Sequence, residues 1–63
     1  MPKEIVYAIG ETARDLRMSI AKEIGAIKSR EQCDVTTEYQ QSYSHNGNIV
    51  QPIIVKWSGV IRQ

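Results

Sequence analysis

Two side chains in this 63-residue chain have the chemistry of a nucleophile and a base, Cys33 and His45. A thiol activated by an imidazole needs hydrogen-bond contact between them. Cys33 opens an alternating stretch and His45 lies at its far end, so about twelve extended residues at ~3.4 Å each keep them apart. A zinc site needs about four nitrogen or sulfur ligands, and one Cys with one His does not provide them. Glu38, flanked by Thr36 and Gln40, reads as part of a solvated polar face. Arg14, Arg17 and Lys28 fall on adjoining faces of a helix but are interrupted by Glu11, Asp15 and Glu23, so a nucleic-acid surface has little support. No glycine-rich phosphate loop is present; Gly10 stands alone. The expectation is that the chain is not an enzyme, with no catalytic residue and no metal ligand. The aromatic residues Tyr39, Tyr43 and Trp57 read as core. Alternatively Tyr39 and Trp57, with Gln40, are candidate ligand-binding residues that stack on a planar molecule.

Composition limits the elements that position these groups. There are 8 basic and 7 acidic residues, a net charge of +1, and no bulk bias toward nucleic acid or an anionic membrane. Nine Ile and five Val stand against one Leu and no Phe, which favours a pleated sheet over a helical bundle. The longest apolar run, Ile5-Val6-Tyr7-Ala8-Ile9, is far short of the ~20 residues that cross a bilayer. That run and the single cysteine suggest a cytoplasmic protein. A chain of this size buries only ~60% of its unfolded surface, and without disulfide or metal it is expected to associate with copies of itself.

Four elements follow in one domain spanning 1–63. Residues 3–9 predict a strand with Ile5, Tyr7 and Ile9 on one face and Val6 and Ala8 on the other, covered on both sides. Thr12-Ala13-Arg14-Asp15 has the form of a capping box. Ala13, Leu16, Ile20, Ile24 and Ile27 then mark one face of a helix over about 12–29. Its ends suit the helix dipole: Glu11 and Asp15 first, Lys28 and Arg30 last. Met18, Ala21 and Gly25 share a flank that either faces water or meets a second subunit. Residues 33–44 alternate as one long strand, with Cys33, Val35, Thr37, Tyr39, Gln41 and Tyr43 on its buried face. Asn46-Gly47 signals a hairpin. A three-residue loop, His45-Asn46-Gly47, pairs Tyr43 with Ile49, Tyr39 with Ile53, Thr37 with Val55 and Val35 with Trp57. That register places every large side chain on one face. The last strand covers 49–61, and Pro52 requires it to lie at an edge or to bulge.

The predicted fold is α+β, one helix on a three-stranded antiparallel sheet in the order β-α-β-β. Val50, Ile54 and Val60 then line the sheet face away from the helix, which makes them candidate residues for an oligomer or partner interface. The leading expectation is a small homo-oligomeric binding protein that sequesters a small molecule between subunits. The alternatives are a protein-interaction or inhibitor module using the outer sheet face, and a nucleic-acid-binding module.

The element order, Gly10 after the first strand, the helix residues Leu16, Ile20, Ile24 and Ile27, and Asn46-Gly47 followed by Ile49-Val50 together resemble the dodecin family. That resemblance implies a helix half-wrapped by a three-stranded antiparallel sheet, assembly into hollow dodecamers, and a flavin as cofactor. Dodecins commonly stack the flavin on a Trp at the start of the second strand. Here that stretch is Cys33-Asp34-Val35, and the only Trp is Trp57, so no flavin-binding residue carries over.

Overall fold

The computed structural model describes residues 2–58 of the chain. Strand β1 (Lys3–Gly10) leads into helix α1 (Ala13–Glu31). Three further strands follow, β2 (Thr36–Tyr39), β3 (Tyr43–His45) and β4 (Asn48–Lys56). Among the described residues the fold is α+β with one helix on an antiparallel sheet, in four strands rather than three. β4 is central, with β1 on one side and β2 and β3 in succession on the other.

The helix starts where the cap predicts. Thr12 is extended, and its Oγ1 accepts from Asp15 N at 3.1 Å. Its carbonyl accepts from Leu16 N at 2.9 Å. The side-chain bond satisfies one of the four amides that a helix N-terminus leaves open, and the carbonyl accepts the first bond of the helix itself. The helix runs two residues past the expected end and closes at Gln32. There the backbone turns left-handed (φ 56°) and the amide donates to Lys28 O at 2.7 Å. Gly10 lets the first turn sit directly on the end of β1. A Cβ there would stand 2.4 Å from Leu16 N and 2.7 Å from the Asp15 carbonyl carbon.

The core lies between α1 and one face of the sheet. Val6, Ala8, Ile27, Ile53, Val55 and Trp57 are buried, with Leu16, Ile20, Cys33 and Val35 packed against them. Ala13, expected on the apolar helix face, is exposed. α1 packs chiefly on β1, more lightly on β4, and does not reach β2 or β3. One helix therefore covers one face only. The expectation that β1 is covered on both sides fails: Val6 and Ala8 turn to the helix, while Ile5, Tyr7 and Ile9 are each about half exposed.

The hairpin departs from the expected register in one place. β2 pairs as predicted, with Thr37 opposite Val55 and Tyr39 opposite Ile53. β3 does not: Tyr43 lies opposite Val50, not Ile49. The loop has two residues, Asn46 (φ 52°) and Gly47 (φ 79°), both left-handed as a type I′ turn requires. Three steps along β4, from Val50 to Ile53, thus match four along the other arm, from Tyr43 to Tyr39. The extra residue forms a bulge in 40–42, which divides the expected strand 33–44 into β2 and β3 and turns Tyr43 to the face opposite Tyr39.

Pro52 explains the position of the bulge. Gln40 N donates to Pro52 O at 3.0 Å. An antiparallel pair of this kind exchanges two hydrogen bonds, and proline has no N–H to return. The Gln51 side chain takes its place, since Nε2 donates to Gln40 O and also to Pro52 O at 3.0 Å. Pro52 therefore sits in the central strand rather than at an edge.

Candidate binding surface

The face of the sheet opposite α1 can be built from the register. Side chains directly across a strand pair share a face. One row runs Ile5, Ile54, Glu38; the next holds Tyr7 beside Pro52; a third runs Ile9, Val50, Tyr43. Glu38 and Lys56 stand at the polar end, with Lys56 Nζ 3.7 Å from Glu38 Oε1 and both side chains well exposed. Such a pair contributes little stability. The remainder is apolar: Ile5, Tyr7, Ile9 and Tyr43 are each 50 or 51% exposed around Val50 and Pro52, which are buried. A shallow hollow lined by Lys3, Glu4, Ile5 and Ile54 opens at the β1 margin.

The candidate interface residues are distributed unevenly over the molecule. Val50 and Ile54 lie on this outer face as expected. Val50 is only 5% exposed, between Ile9 and Tyr43, and Ile54 is half-buried. Val60 lies outside the described residues. The side chains that present the apolar surface are those of β1 and Tyr43, which sequence reasoning placed under cover. The signal was available: both faces of β1 are apolar, and a chain with a single helix covers one. Met18, Ala21 and Gly25 are exposed on the far side of α1, Met18 at 63%, with nothing within 4 Å of a Cβ built on Gly25.

The candidate ligand-binding residues do not form one platform. Trp57 is 8% exposed and belongs to the core. Its ring carries the Arg30 guanidinium at 5.9 Å from the centroid, a cation–π contact. Arg30 also reaches Glu4 Oε1 at 2.8 Å and Glu31 Oε2 at 2.9 Å. The Glu4 hydrogen bond first, and the Glu31 bond second, hold the Arg30 pKa above its ordinary value. Tyr39 turns to the helix side, but α1 does not extend over β2 and the ring is half exposed. Gln40 is at the bulge, its Nε2 donating to Glu38 Oε2 at 3.1 Å. A groove beside Trp57 is lined by Asp34, Val35, Thr36, Lys56 and Ser58. Tyr43, expected to align with Tyr39 and Trp57, is on the other face.

The groups with possible reactivity are dispersed. Cys33 is half-buried against the core, its thiol 3.9 Å from Ser58 O, and His45 is at the hairpin tip beside Asn46. Among the described residues no group of three or more His, Cys, Asp or Glu is placed to hold a metal ion, and no helix is long and apolar enough to cross a membrane.

No protein-family model, curated protein or solved structure matches this chain.

Proposed function

We propose that this chain is a small non-enzymatic binding protein that acts as a homo-oligomer, with the outer face of its sheet as the contact surface. The observation that supports this reading is the apolar face left open by a single helix: Ile5, Tyr7, Ile9 and Tyr43, half exposed, around Val50, Pro52 and Ile54. Burying a large apolar side chain is worth roughly 1.5–3 kcal/mol. Closing four half-exposed ones therefore adds several kcal/mol per subunit, comparable to the ~3–5 kcal/mol that a core of this size supplies alone. A second copy presents the same face at the same concentration, and the charges of this face, Lys3, Lys56 and Glu38, lie together at one end of it.

Sedimentation of the wild-type chain and of Ile9→Lys tests the reading. Ile9 points away from the helix–sheet core, so the variant keeps its fold. Its ammonium enters the apolar row of Ile9, Val50 and Tyr43 on the closed face, where desolvation is costly. The wild type is expected to sediment as an oligomer and Ile9→Lys to lose that face contact. A wild-type monomer that instead retains a different protein would favour the interaction-module reading of the same surface.

A further inference from the structure

The hydrogen-bonding phase of the sheet shows which backbone groups of β1 are free. Trp57 N donates to Pro2 O at 3.2 Å, so residues 2 and 57 form a hydrogen-bonded pair. Alternation along an antiparallel ladder then turns the groups of Glu4, Val6, Ala8 and Gly10 toward β4. Lys3, Ile5, Tyr7 and Ile9 direct theirs out of the sheet, because β1 is its edge. One of these amides is already taken: Ile9 N donates to Ser19 Oγ at 3.1 Å. Among the described residues the amides of Lys3, Ile5 and Tyr7 have no partner, with Ile5 at their centre.

The helix leaves this stretch open. Ser19 reaches the sheet edge at Ile9, whereas Arg30, almost at the other end of α1, lies over Trp57 and bonds Glu4 from the core side. The helix axis therefore crosses from the edge at Ile9 toward the middle of the sheet at Lys3. Neither proline nor bulge, two of the means of blunting an edge, interrupts residues 3–7, and the charges of this stretch, Lys3 and Glu4, stand at one end.

We infer that β1 pairs antiparallel with β1 of a second copy, about a twofold axis through the Ile5 pair and normal to the sheet. Ile5 then faces the partner's Ile5, and Lys3 faces the partner's Tyr7. All three free amides and their carbonyls are used in each copy. Moving the axis to Tyr7 would set Ile5 against the partner's Ile9, whose amide Ser19 already holds. Side chains agree with this register. The hollow lined by Lys3, Glu4, Ile5 and Ile54 adjoins the position where the partner's Tyr7 stands, and Tyr7 is 50% exposed. Each copy offers one ring and one hollow, and the twofold exchanges them, which selects a second copy of this chain as the occupant. The Lys3 ammonium gains the face of that ring, and Ile54 and Ile5 of both copies form an unbroken row. Both helices lie on one side of the joined sheet and both apolar outer faces on the other. The edge contact thus rests on the same premise of self-association as the proposed function and uses Ile5, Tyr7 and Ile54 at the margin of the outer face, while the row of Ile9, Val50 and Tyr43 stays free to close separately.

The test is a chain synthesised with an N-methylated amide at Ile5. That amide points outward, so the β1–β4 ladder loses nothing, while each pair of copies loses two donors. The edge association constant is expected to fall about tenfold or more. In the unmodified chain, the amides of Lys3, Ile5 and Tyr7 should gain exchange protection as concentration rises. A mixed-label sample should show a Glu4 Hα to Val6 Hα contact between copies. Unprotected Ile5 and Tyr7 amides in an oligomeric sample would overturn the edge pairing while leaving the outer-face reading intact. An Ile9→Lys chain of unchanged mass would do the reverse, and a wild-type monomer at high micromolar concentration would overturn both.

Discussion

Gln51 does the work of a backbone amide that Pro52 lacks, and this can be measured as a coupling between the two residues. Gln51→Met keeps the length of the side chain and removes the donor. Two acceptors are affected, but unequally. Pro52 O still accepts from Gln40 N at 3.0 Å. Gln40 O loses its donor, although Gln40 is exposed and water can reach it. The cost should therefore be near the net value of one hydrogen bond, about 1 kcal/mol, rather than the ~1–3 kcal/mol of an acceptor buried without a partner. For a domain of this size that corresponds to ~4–8 °C in melting temperature. Pro52→Val returns an N–H aimed at Gln40 O, so in that background Gln51→Met should cost under ~0.5 kcal/mol. Thermal and urea denaturation of the four proteins, followed by circular dichroism at a fixed concentration, gives the coupling energy. Equal costs in the two backgrounds would refute the substitution of side chain for backbone donor.

The other substitutions examine how the helix and hairpin are fixed. Gly10→Ala places a Cβ against the backbone of Leu16 and Asp15; it should destabilise by roughly 1–3 kcal/mol as α1 shifts off β1, and a neutral melt would show that the first turn is not seated there. Thr12→Ala removes the acceptor for Asp15 N and should cost ~1 kcal/mol, read from the same melts, with Thr12→Ser close to wild type. Asn46→Val puts a β-branched residue at φ 52° and should cost about 1–2 kcal/mol, whereas Asn46→Gly should be nearly neutral; equal melts would argue against the type I′ turn.

The helix was legible in the sequence because its cap, its apolar spacing and its terminal charges agree with one another. The β2 register was legible because burial of Val55 and Ile53 admits one phase. The bulge was not. Residues 33–44 alternate without a break, and alternation does not show where a strand gains a residue. Asn46-Gly47 favoured a two-residue turn, and placing Tyr39 and Thr37 on the face of Ile53 and Val55 favoured the register of a three-residue one. The fold meets both demands by placing the extra residue in 40–42, opposite the one position of β4 that has no amide. Pro52 marked that position, but the expectation that its own strand would lie at an edge or bulge there was not met: β4 runs unbroken and central, and the extra residue is in the arm opposite. The candidate surface was only half legible. Val50 and Ile54 were placed on the outer face, but the larger contribution of Ile5, Tyr7 and Ile9 depends on which face of β1 the helix takes. Tyr43 joins them only because the bulge reverses its direction.

Self-association is the central claim, and sedimentation equilibrium of the wild-type chain over a wide concentration range tests it most directly. The account predicts a mass that is a multiple of the 7.2 kDa chain, falling when Ile9→Lys is introduced while the circular dichroism spectrum of the variant stays that of a folded α+β domain. A single species of 7.2 kDa at the highest concentration reached, with the wild type fully folded, would contradict it.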